Sequence, residues 1–76
     1  MDKWFELWDT ESVNLVASYD TWAITLEKLQ TASARRPETW FEHLSLVEEH
    51  ENESDPTIIA EGSAILDMIR MASISS

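Results

Sequence analysis

Cysteine is absent from the 76 residues, so no disulfide, no thiolate zinc site and no thiol nucleophile can form. Basic residues are few: five against fifteen acidic ones, for a formal charge of −10. A small body with that charge repels nucleic acid and anionic lipid, so direct binding to nucleic acid or membrane is not expected, and a charged protein partner should be basic. Acidity of this kind also serves solubility alone. Long apolar runs are missing too. The opening "MDKWFELWDTES" places charges on both sides of its apolar residues and is neither a signal-peptide core nor a spanning helix, so a soluble cytoplasmic protein is expected.

A chain of this length is expected to form one domain over 1–76, with residues 72–76 fraying. It buries only about 60% of the surface its unfolded form exposes, and such a core rarely supplies more than roughly 3–5 kcal/mol. With disulfides excluded, self-association is the staple left, and a homodimer is the expected oligomer.

Within the chain, "KWFELWD" alternates Phe5 and Leu7 against Trp4, Glu6 and Trp8, and its aromatics favour a strand. The turn formers of "TESVN" lead into "LVASY", making a hairpin. Beyond Asp20 and Thr21, both suited to a helix cap, Trp22, Leu26, Leu29 and Ala32 or Ser33 recur at helical spacing. Arg35 and Arg36 suit the negative end of that helix, and Pro37 stops it. Residues Pro37 to His43 fit one short helical turn. "LSLVEE" and "PTIIAE" read as a second hairpin. Ser63 then caps a helix with a stripe of Ile65, Leu66, Ile69 and Ala72. The predicted fold class is α+β, ordered ββαββα, with a four-stranded antiparallel sheet and two helices on one face.

The succession "DTESVNLVASYDT", helix, "HLSLVEE", polar loop, "IIAEG", helix resembles short bacterial proteins of unassigned function, over most of the chain. In those proteins a glycine tends to stand where Val13 does, and the second loop carries glycine where Asn52 to Ser54 stand. The resemblance implies the fold and brings no catalytic residue. Val13 would be strained in a turn that requires positive φ.

The densest charge lies in Glu48, Glu49, Glu51, Glu53 and Asp55, around His50. Carboxylates at alternate residues resemble a calcium loop, but an EF-hand requires glycine at its sixth position and this run has none. It reads as a solvated connection, with no metal and no cofactor expected. His43 and His50 are the only histidines, and a histidine near carboxylates is a candidate for a pH-sensitive contact. Ser45 and Ser54 lack a third orienting group, so no catalytic set emerges. Asn52-Glu53-Ser54 matches a glycosylation pattern that matters only in a secretory compartment.

Four tryptophans are heavy usage for this length. If Phe5 and Leu7 face the helices, Trp4, Glu6 and Trp8 face the other way, where Val16 or Tyr19 of the neighbouring strand could join them in an interface. The expectation is a non-enzymatic interaction module, an inhibitor or antitoxin-like partner of a basic nucleic-acid-acting protein. The alternative is a homodimer through the same face whose acidity serves only solubility.

Overall fold

The computed structural model describes residues 2–75, and the side chains of residues 2–72. Four strands and two helices follow one another as β1 (Lys3–Asp9), β2 (Asn14–Tyr19), α1 (Trp22–Arg35), a 3₁₀ turn (Glu38–Phe41), β3 (Leu44–His50), β4 (Thr57–Glu61) and α2 (Ser63–Ser75). The strands form one antiparallel sheet in the order β2-β1-β3-β4. This is the predicted ββαββα, an α+β fold. The body measures 34 × 31 × 16 Å, a slab two layers thick.

Strand alternation sorts the side chains. Leu7 pairs with Leu46 and with Ala17, and Leu46 pairs with Ala60, so all four share a face. Leu7, Leu46 and Ala60 are buried there with Leu29 of α1, Ile65, Leu66 and Ile69 of α2, and Phe41 of the 3₁₀ turn. Both helices and the 3₁₀ turn therefore lie on one side of the sheet. The opposite face, called here the outer face, carries Trp4, Glu6 and Trp8 of β1 and their β3 partners Glu49, Val47 and Ser45. Leu15 and Ser18 of β2 and Ile58 and Glu61 of β4 join them.

Local chemistry accounts for the helix ends. Thr21 is extended, and its hydroxyl accepts a 3.1 Å hydrogen bond from the Ile24 N–H, supplying a partner for one orphan donor of α1. At the other end Arg36 turns extended ahead of Pro37, its N–H still donating to the Ala32 carbonyl. The guanidinium of Arg36 then lies 5.3 Å from the centre of the Trp40 ring. Thr25, which the apolar stripe did not include, is fully buried; its hydroxyl donates to the Thr21 carbonyl at 2.7 Å and so needs no partner outside the helix.

Two expectations change. Tyr19 pairs with Phe5, so it lies on the helix side and packs against the core instead of joining Trp4 and Trp8. Ser63 is the first helical residue and not the residue before it; the turn into α2 is made by Gly62, at φ 56°, whose carbonyl accepts from the Ile65 N–H. The backbone of α2 is helical to Ser75; Ser76 and the side chains of residues 73–75, on which part of the expected fraying at 72–76 falls, lie outside the described ones.

Candidate functional site

The candidate site is the outer face. On β1 the side chains of Trp4, Glu6 and Trp8 stand in a row, and a single carboxylate bridges the two indoles. Trp4 Nε1 donates to Glu6 Oε2 at 3.0 Å and Trp8 Nε1 to Glu6 Oε1 at 2.9 Å. Residues two apart on a strand lie on one face about 7 Å apart, close enough for both rings to reach the same carboxyl. The tryptophans are half-buried, and each finds its polar partner within its own strand.

A second carboxyl completes the row: Glu49 sits opposite Trp4 on β3, close enough to Glu6 for the two carboxyls to share a proton. Desolvation pushes the Glu6 carboxyl up, but the hydrogen bonds from Trp4, Trp8 and Glu49 outweigh it and hold its pKa below the ordinary value. Glu49 moves the other way: desolvation, the bond to Glu6 and repulsion from the Glu6 charge all raise it. Of the two, Glu49 is the one that keeps its proton to higher pH.

Beside this pair an apolar trough of about 380 Å³ runs along β3. Ser45, Val47 and Glu49, successive outer-face residues, line its floor; Trp8 and Val13 stand on one side, Pro56 and Ile58 on the other. Ser45 and Val47 are short side chains buried between longer neighbours, whereas Val13 is 74% exposed and Ile58 57%. Val13 reaches its position at φ 58°, in the left-handed region that β-branched residues avoid. The preceding turn fixes it there. Asp9 Oδ1 accepts from the Glu11 and Ser12 N–H groups at 3.0 and 3.3 Å, closing a compact turn that Val13 must reverse to enter β2. The bond from Ser12 is the largest reason the Asp9 carboxyl titrates below its ordinary value.

The residues singled out in the sequence divide accordingly. Trp4, Glu6 and Trp8 stand together on the outer face. Val16 is the unpaired residue of a bulge in β2, opposite the step from Leu7 to Trp8, and 42% exposed. The acidic run does not act as one group. β3 extends through His50, so Glu48 turns to the helix side, where Lys3 Nζ and His50 Nε2 lie 3.4 and 3.5 Å from it, while Glu49 turns to the outer face. Glu51, Glu53 and Asp55 remain exposed in the connection. No three of the described His, Asp and Glu side chains cluster closely enough to hold a metal ion. The role of Glu49 beside Glu6, and the apolar walls from Val13, Pro56 and Ile58, were missed. Glu49 was legible in principle, since it shares strand parity with Val47, but it meets β1 only through the pairing with Trp4, forty-five positions away.

Chemically, the site can accept a cation or an apolar side chain. Glu6 is poorly placed as a base because both its oxygens already accept from indoles. No helix among the described residues is long and apolar enough to cross a membrane. The chain matches no protein-family model, and neither a curated protein nor a solved structure matches it.

Proposed function

We propose that the protein is a small, acidic, non-enzymatic interaction module that docks a basic protein on its outer sheet face, as an inhibitor or antitoxin-like partner of a nucleic-acid-acting protein. The observation that supports this reading most is the charge of that face. Glu6, Glu49 and Glu61 lie on it, and none of the five Lys and Arg side chains does: Lys3 pairs with Glu48 on the helix side, and the other four belong to α1, α2 and the residue after α1. An apolar trough rimmed by carboxylates offers burial for affinity and charge for steering. Purified basic nucleic-acid-binding proteins from the same genome, titrated with this chain at about 50 mM salt, provide the test. Binding that weakens in Ile58→Asp and with added salt supports the reading; no binding by any of them removes it.

A homodimer through the same face is the second reading, favoured by the exposed Val13, Leu15 and Ile58 and by the two half-buried tryptophans. A twofold copy would set a face bearing Glu6, Glu49 and Glu61 against another bearing the same three, a like-charge cost that the basic partner avoids. In sedimentation at micromolar concentration Trp8→Asp should convert a dimer to monomers; a dimer of unchanged mass would reject this face.

A further inference from the structure

Resting on the reading of the outer face as a docking surface, we infer that its occupant is an extended segment of a basic protein that seats an apolar side chain over Val47 and, about 7 Å further along, a Lys or Arg against Glu6 and Glu49. The shape of the trough and the placement of charge carry this. Ser45, Val47 and Glu49 line its floor in sequence, so the floor changes from small polar to apolar to anionic along roughly 13 Å of strand. A helix, about 10–12 Å across with its side chains, is too wide to lie between Trp8 of β1 and Ile58 of β4, whose strands stand about 10 Å apart on either side of β3, whereas an extended chain offers side chains to one face every second residue. An apolar side chain two residues before a cation matches Val47 followed by Glu49. Glu6 adds the second half of the anionic end, held in place by the two indole N–H groups.

The same geometry argues against the chain's own edges as the docking element. Both outer strands are interrupted, β2 by the bulge at Val16 and β4 by one at Ile59, which breaks the regular row of backbone groups an added strand would need. The face, and not the edge, is the continuous surface.

The full chain, labelled for NMR, tests the proposal with three capped pentapeptides: Ser-Leu-Ser-Lys-Ser, Ser-Leu-Ser-Glu-Ser and Ser-Gly-Ser-Lys-Ser, each up to about 10 mM, where millimolar affinities are measurable. The expected result is that the Leu/Lys peptide shifts the Trp8 indole and Val47 signals and binds at least five-fold more tightly than either control. Glu49→Gln should reduce its lead over the Leu/Glu peptide. Equal binding of the Leu/Lys and Leu/Glu peptides would overturn the cation and leave the docking surface standing. Self-association that shifts the Trp8 indole on dilution, with no peptide effect, would make a second copy the occupant and overturn the proposal. Silence in every arm from a monomeric chain would overturn it together with the docking surface on which it rests.

Discussion

Replacing Val13 by glycine should make the protein more stable, although it removes a side chain. Val13 holds φ 58° at the end of a turn that Asp9 fixes through two backbone hydrogen bonds. Left-handed backbone costs an L-residue about 1–2 kcal/mol, with β-branched residues at the upper end. Glycine adopts it without that cost but gives back about 0.5–1 kcal/mol through its freer unfolded chain. Val13 is 74% exposed, so little apolar burial is lost with it. The balance is a gain of about 0.5–1.5 kcal/mol, and each kcal/mol is worth about 4–8 °C in Tm for a domain of this size. Urea unfolding with an unchanged m-value and a scan of Tm would measure it. Val13→Ala is the decisive control, since it removes nearly as much surface while keeping a Cβ. If Val13→Gly proved no more stable than Val13→Ala, the strain argument would fail. Because Val13 also walls the trough, the glycine variant should bind the Leu/Lys peptide more weakly even as it unfolds later. Strain retained where a surface needs an apolar wall is the usual trade between stability and binding.

The two carboxyls of the outer face should respond to neutralisation with opposite signs. Glu6→Gln leaves one acceptor oxygen for two indoles and should cost about 1–2 kcal/mol at neutral pH, whereas Glu49→Gln removes a repulsion and should leave stability unchanged or raise it by up to ~0.5 kcal/mol. Glu6, depressed in the fold, contributes stability that is present above the usual carboxylate range and lost as pH falls through its lower native value. Glu49, raised in the fold, contributes below that range and loses its contribution as pH rises through its higher native value. Urea midpoints across the acid range should therefore show the Glu6→Gln deficit shrinking at low pH, and a deficit independent of pH would refute the assignment. Gly62, at φ 56° with the Glu42 carbonyl 3.4 Å from where a Cβ would stand, should lose about 1 kcal/mol on change to alanine, read as a lower Tm.

Most of the fold was legible because periodicity and punctuation agree along this chain. The alternation in "KWFELWD" gave β1 its bounds, and Thr21 with Pro37 framed α1. What escaped has physical causes. Thr25 satisfies its hydroxyl within its own helix and so hides in the core as an apolar residue would. Tyr19 was assigned to the wrong face because the bulge at Val16 shifts the parity of β2 partway along, and no residue type announces it. In the candidate site, Trp4, Glu6 and Trp8 came from local alternation. Glu49, Ile58 and Pro56 came into place only through pairings across the chain, which a single sequence does not display.

The central ladder also decides how the molecule comes apart. β1 and β3 pair over seven consecutive residues with no bulge, from Lys3 opposite His50 to Asp9 opposite Leu44, while both flanking ladders are interrupted. This ladder is the seam between two ββα halves, and neither half closes a core alone: Leu7 and Leu29 come from the first, and Phe41, Leu46 and Ile65 from the second. Opening the seam exposes both sets of side chains at once. Amides along β1 and β3 should accordingly exchange with solvent only through global unfolding, and the tryptophan row, built on that strand, is anchored to the last part of the protein to yield.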